Sequence, residues 1–274
     1  MDVRHVPFGV LLRRWREQRR VTQTDLALAA ESSTRHLSCL ETGKAEPSRE
    51  MVSRLSESLD IPLRDRNTLL LAAGFAPVFS ERSVGELEAA KAAIDSVLRS
   101  HAPYPAFAVD RHWNIVLSNA ALPQLYEGCS AELLRKPVNA MRLILHPEGL
   151  GPRILNFSAW RAHTISLLRQ QLAARVDPVI KALLAEIAGY PVPPGSEPPE
   201  SFGAAQRLAT PLHISTRFGV VSFLNTLTVF GTPNDVTLSE LALEMLFPAD
   251  DKTIEIVKDM VRESNAPAGM KAAG

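Results

Sequence analysis

Cysteine is scarce in this chain: Cys39 and Cys129 are the two in 274 residues, and they lie far apart. A disulfide framework or a zinc knuckle needs closely spaced thiols, so neither is expected, and a reducing compartment fits. Histidine offers no substitute. Seven are scattered at 5, 36, 101, 112, 146, 163 and 213, with no HExxH or other paired ligand spacing. No metal and no cofactor is expected. Also missing are a GxSxG elbow, a P-loop and a GxGxxG turn, so catalysis by a familiar constellation is not expected. Long apolar runs are absent too. The N-terminus MDVRHVPFGVLLRRWREQ has no uninterrupted apolar core, and no window approaches the roughly 18 residues of a membrane span. A cytoplasmic protein with no membrane partner is expected. Finally, the formal net charge is +0, which gives no global attraction to polyanions. Any nucleic acid must meet a local patch.

What is present is a soluble globular composition, 46% hydrophobic and 22% charged, in a chain long enough for two domains. Cutting after Phe75 leaves 12 Lys/Arg against 10 Asp/Glu before the cut and 18 against 20 after it. The positive charge concentrates in RRWREQRR, Arg13 to Arg20, which reads equally as a solvated helix face or as the edge of a nucleic-acid site.

From Phe8 to Phe75 the pattern is helical with short loops, punctuated at Thr22, Glu31 to Ser33, Gly43, Pro47-Ser48, Pro62 and Gly74. Five short helices are expected. A connecting helix follows over 79–102, with Leu87, Ala90, Ile94, Val97 and Leu98 at helical spacing. Beyond Pro103 the texture changes. AFAVD and IVLSN read as strands joined by a hairpin at Arg111 to Asn114, and helical patterns return over Ala159 to Ala174 and Pro178 to Ala188. GYPVPPGSEPPESFG (Gly189 to Gly203) is Pro-rich and reads as an exposed loop. LATPLHIST and VVSFLNTLTVFG form a second hairpin, LALEMLFP alternates like a further strand, and 264–274 reads as a disordered tail. Strands, helices and strands again within one stretch imply an α+β domain with an antiparallel sheet over 103–263.

The stretch VTQTDLALAAESSTRHLSCLETGK, Val21 to Lys44, carries the most chemistry. Thr22 and Asp25 have the capping-box form, and Leu26, Ala29 and Ala30 give a first helix an apolar face. A second helix from about Ser33 sets Leu37 and Leu40 on one side and Arg35, Ser38, Cys39 and Thr42 on the other. A short turn before a helix with polar residues in its N-terminal half is the geometry that enters the major groove. There Arg35 could bond guanine O6 and N7, and Thr34 or Ser38 could meet a base edge. Gln23, Ser33, Thr42 and Lys44 would bind phosphates and fix register.

These residues resemble the XRE (lambda repressor/Cro-like) helix-turn-helix family: Thr22-Gln23, Ser33, Leu37-Ser38 and Glu41-Thr42-Gly43, then PSREMVSRLSESLDIPL for a fourth helix. The resemblance covers the first domain, 1–78, and implies an ion pair between Arg16 and Glu41. One departure stands out. The family commonly places glycine in the turn, where this chain has Glu31-Ser32, and a glutamate in the left-handed conformation costs about 1 kcal/mol.

The larger domain resembles the MmyB-like ligand-binding domain, PAS-like in fold, from about Tyr104 to Asp250. The matching stretches are PYPAFAVDRHWNIVLSN, NAMRLILHPEGLGPRILNFSAWRAH and LTVFGTPNDVTLSELALEMLFPAD. That family senses small molecules, fatty-acid-like ligands among them, so the resemblance implies a one-component regulator. Arg142, His146, Asn156, Trp160 and Arg161 fall in the matching motifs, and Asn225 lies two residues before the third. A carboxylate ligand would want a bidentate arginine such as Arg153 or Arg161, with Trp160 and Phe223 packing its chain.

The chain therefore reads as an α+β protein: a five-helix helix-turn-helix domain, then a PAS-like domain with an antiparallel sheet and covering helices. The function expected is a nucleoid-associated homodimer that binds a double-stranded DNA operator and responds to a small ligand, with fatty acids one class. The alternative is a DNA-binding protein whose second domain only dimerises or binds another protein.

Overall fold

The first five helices of the N-terminal region stop on the same backbone device. The computed structural model describes residues 6–79, 88–175, 177–196, 211–229 and 236–265. Two compact units divide the chain, one with the described residues 6–79 and 236–239, the other with the remainder.

The first unit holds α1 (Phe8–Gln18), α2 (Gln23–Ala29), α3 (Thr34–Glu41), α4 (Arg49–Ser58) and α5 (Leu63–Ala72), together with the short α10 (Val236–Ser239). Hydroxyl caps start three of them: Thr22, Ser33 and Ser48 each accept a bond from the backbone N–H three residues on. The ends of α1 to α5 are Schellman motifs, in which a left-handed residue lets the next N–H reach back five carbonyls. Ser32 N–H bonds Ala27 O at 2.8 Å, Lys44 bonds Cys39 at 2.8 Å, and Ile61 bonds Ser56 at 2.9 Å. Gly43 and Gly74 supply the left-handed residue twice, but Arg20, Glu31 and Asp60 supply it elsewhere, at φ 57°, 51° and 47°. Glu31 thus adopts the left-handed turn conformation considered from the sequence, and α2 closes on Ala30.

Leu12, Leu26, Leu37, Leu40, Leu55, Leu59 and Leu69 form the core of this unit. At Gly9 helix α1 crosses α3 so closely that a Cβ would lie 2.3 Å from the Leu40 carbonyl oxygen. No other residue fits there without moving α3.

In the second unit, α6 (Glu88–Ser100) precedes β1 (Ala106–Val109) and β2 (Ile115–Ser118). Then come α7 (Ala140–Leu145), α8 (Phe157–Ala174), α9 (Pro178–Ala188), β3 (Leu212–Thr216), β4 (Gly219–Val229), β5 (Ala242–Pro248) and α11 (Asp251–Asn265). The strands form one antiparallel sheet in the order β2-β1-β5-β4-β3. Both hairpins stand where the sequence placed them, and β5 inserts between them. The α+β class, with a helical N-terminal region followed by an antiparallel sheet and helices, is the architecture found.

Several elements differ from the sequence reading. Helix α6 is not a free connector: Ile94 and Leu98 are fully buried, and Asn119 donates to the carbonyls of Leu98 at 3.0 Å and Tyr104 at 2.8 Å, tying the helix end to the sheet. The reading's residues 80–87 lie outside the described residues. Helices α7 and α11 were not anticipated. In α11, Ile256, Val257 and Met260 are buried, and Ser264 and Asn265, read as the start of a disordered tail, are helical. The rest of that tail lies outside the described residues, as does the Pro-rich stretch from Glu197 to Gly203.

Candidate functional site: a helix face and a cavity

In the first unit α3 buries Leu37 and Leu40 and turns Thr34, Arg35 and Thr42 to solvent, with Ser38 and Cys39 half-exposed beside them. Its C-terminal end is fixed by a buried cluster. Arg16 Nε donates to Glu41 Oε1 at 2.6 Å and its Nη2 to Oε2 at 3.0 Å, while Nη1 reaches the Val21 carbonyl at 3.1 Å. Gln23 Nε2, from the start of α2, donates to Glu41 Oε2 at 2.8 Å. Burial alone would discourage ionisation of Glu41, but the bonds from Arg16 and Gln23 outweigh it and hold the carboxyl below its ordinary range. Three helices are thereby joined at one carboxylate.

The structure modifies two phosphate assignments. Gln23 has spent one amide N–H on Glu41, and the Thr42 hydroxyl donates to the Ser38 carbonyl at 2.7 Å. The hydroxyl of Ser33 accepts from His36 N–H at 3.1 Å as the N-cap of α3. Lys44 is exposed just beyond the helix.

The second unit holds a partly open, apolar cavity of about 80 Å³. A single water needs ~10–15 Å³ on this measure, so there is room for several water-sized groups. Its wall is built from the sheet (Phe107, Leu212, Ile214, Leu246), from α7 (Met141, Leu143, Ile144) and from α8 (Trp160, Leu167). Polar groups in it are few: Asn225, Glu244, His163, Thr164, the Tyr126 phenol and the indoles of Trp113 and Trp160. Glu244 is 5% exposed, and burial, opposed only by a hydrogen bond from Asn225, pushes its carboxyl from 4.5 up to about 7. Burial likewise lowers the His163 imidazole and favours its neutral form.

With both surfaces described, comparison with known proteins is decisive for the larger unit: residues 90–259 match the model of the MmyB-like transcription regulator ligand binding domain. The chain belongs to the MmyB-like regulator family. Residues 7–69 match a helix-turn-helix domain, so this MmyB-like protein is a DNA-binding transcription regulator with a ligand-binding domain. No curated protein matches the chain. Among solved structures, one titled "Structure of an RNA-binding Light-Oxygen-Voltage Receptor" is 11% identical with a TM-score of 0.24; the match covers 94% of this chain and 61% of that one.

In this MmyB-like domain, Trp160 and Asn225 are the two anticipated ligand residues that line the cavity. The other six lie outside it and make contacts within the fold. Arg142 makes a two-pronged pair with Glu186, both bonds at 2.8 Å, which raises the guanidinium and lowers the carboxyl. His146 Nδ1 accepts from Glu148 N–H at 3.0 Å and closes a loop, and its ring edges onto Tyr190. Arg153 donates to the Leu125 carbonyl, and Arg161 to that of Ala188, capping the end of α9. Asn156 bridges Pro211 O at 2.7 Å and His213 N–H at 3.2 Å, while Phe223 is fully buried in the core. Arg153 and Arg161 were expected to meet a carboxylate ligand, but neither lines this cavity, and each donates one Nη2 to a backbone carbonyl. The residue missed was Glu244. An acid sharing a strand face with Ala242 and Leu246 in LALEMLFP was the available signal.

Proposed function

We propose that the chain is a cytoplasmic, homodimeric one-component sensor whose operator affinity is set by a small, largely apolar molecule in the cavity of its second domain. The observation that carries this is the pairing of an exposed polar face on α3, clamped from beneath by Arg16, Glu41 and Gln23, with a lined cavity in the other unit. Thr34, Arg35, Ser38 and Cys39 read base edges in the major groove, and Ser33 and Lys44, with the remaining N–H of Gln23, meet phosphates, whereas the Thr42 hydroxyl has given its proton to the Ser38 carbonyl. A dimer would bind two half-sites about one helical turn apart, and ligand would shift the population of protomer arrangements that span them. A fatty-acid-like ligand would suit the apolar wall, but no arginine lines it.

The experiment is fluorescence anisotropy with duplexes from the region upstream of the protein's own gene. Affinity should fall on the order of a thousandfold between ~50 and ~200 mM salt. Arg35→Ala should weaken discrimination at one base pair by about 1–3 kcal/mol. Binding that is absent, or indifferent to salt, would remove the DNA-reading assignment.

A second reading, in which this domain serves only protein association, is favoured by one observation. Leu224 and Phe247 are partners across β4 and β5 and are 36% and 40% exposed. Ligand that binds without changing operator affinity would support it.

A further inference from the structure

Polar groups in the cavity wall lack the partners that burial demands. Folded proteins pair nearly all their buried donors and acceptors, so a cluster of exceptions in one cavity points to a missing molecule. Trp160, 4% exposed, carries an indole N–H with no acceptor among the described residues, and the Asn225 side-chain oxygen accepts nothing. Glu244 is bonded by Asn225, and no arginine or lysine lines the cavity to neutralise it. Sheet register brings the acid and the amide together: Glu244 faces Phe107 of β1, and Asn225 faces Leu246 of β5, two residues from Glu244.

We propose that this cavity takes a small apolar molecule bearing an amine, its ammonium seated between the Glu244 carboxyl and the Asn225 side-chain oxygen. The assignment rests on the reading of this domain as a ligand sensor and names the class it senses. An ammonium brings three donors and no acceptor, which matches an acid and an amide oxygen that both need donors. Charge-assisted bonds of this kind are the stronger sort. A carboxylate ligand would instead set a second acid beside Glu244 with no cation in the wall, which disfavours both charges. The Trp160 N–H is left for an acceptor elsewhere on the ligand, and the apolar wall takes the chain or ring. A carboxyl held near 7 ionises readily once an ammonium arrives, which makes the exchange of a proton for the ligand accessible at neutral pH.

Isothermal titration calorimetry of the full-length protein with octan-1-amine, octan-1-ol and octanoate tests this, since the three share one chain and differ at the head. The amine should bind about tenfold or more tighter than octanoate. Glu244→Gln should lose about tenfold in amine affinity while octan-1-ol binding is unchanged. Circular dichroism checks that this variant folds, and the order of the three probes on the wild-type chain stands as a test without it. Octanoate binding as tightly as the amine would overturn the assignment. So would amine affinity that survives in folded Glu244→Gln, or failure of all three to bind. Operator affinity measured on the same samples separates the two readings: an amine that binds without altering it defeats the sensor and leaves the ligand class standing.

Discussion

Two glutamates are buried among the described residues, one in each unit, and their surroundings have opposite effects. Glu41, 8% exposed, meets a bidentate guanidinium and an amide, and its carboxyl is held below 4.5. Glu244, 5% exposed, meets one amide beside a cavity and is pushed up to about 7. Low exposure thus accompanies a structural ion pair in one place and a proton-holding acid in the other; Glu244 combines the stronger desolvation with the weaker partner. A buried charge that is fully paired specifies geometry, here the seating of α3 against α1 and α2. A buried acid left with one hydrogen bond is a cost to folding, and such costs concentrate at sites kept for binding.

The largest expected effect comes from making Glu41 resemble Glu244. Arg16→Ala leaves a buried carboxylate with Gln23 alone and should destabilise the first unit by about 3–5 kcal/mol, seen as a lower urea midpoint. A change under about 1 kcal/mol would show that the pair is not what seats α3.

Removing the ionisable group of Glu244 is next. Its folded pKa exceeds the unfolded value of 4.5, so its contribution is fully present below 4.5 and is lost as pH rises through about 7. A shift of this size corresponds to roughly 3 kcal/mol. Glu244→Gln should flatten that decline, so that urea unfolding of the variant varies less between pH 4.5 and 8. Glu41 has the opposite sign: its contribution holds above its unfolded pKa and is lost as acid titrates the folded carboxyl. A wild-type profile with no loss of stability on the neutral side would break the contrast.

Gln23→Ala sharpens it. If the amide serves Glu41, stability should drop by about 1.5–3 kcal/mol, the worth of a hydrogen bond to a charged group. If it serves phosphate alone, denaturation will be unaffected and only DNA affinity will fall.

The smallest effect concerns an acid with neither burial nor cavity. Glu31 is exposed at φ 51°, and Glu31→Gly should raise the melting midpoint by up to about 1 kcal/mol equivalent. A loss of stability there would show that the left-handed turn is held by the Glu31 side chain.

The legibility of the two units in the sequence follows the range of their interactions. Helix starts at Thr22, Ser33 and Ser48, and stops at Gly43 and Gly74, are written within a few residues, and they were readable. The Arg16 and Glu41 pair spans 25 residues and came from the family resemblance rather than from local pattern. In the second unit both hairpins were legible from alternation. The partners of Arg142, Asn156 and Arg161 were not, because they lie 44, 55 and 27 residues away. Charge complementarity to an assumed carboxylate ligand named Arg153 and Arg161, but both donate to backbone carbonyls within the fold. Helix α11 escaped notice although Asp250 caps it, accepting from Thr253 N–H at 2.7 Å, and Ile256, Val257 and Met260 have helical spacing.

The two buried acids differ in the pH at which they ionise, and carboxyl carbon NMR of glutamate-labelled protein measures that difference directly. Titrated without ligand, Glu244 should change state near pH 7 and Glu41 below 4.5, and adding octan-1-amine should lower the first while leaving the second in place. A Glu244 that titrates at or below 4.5, or that does not respond to the amine, would contradict the account.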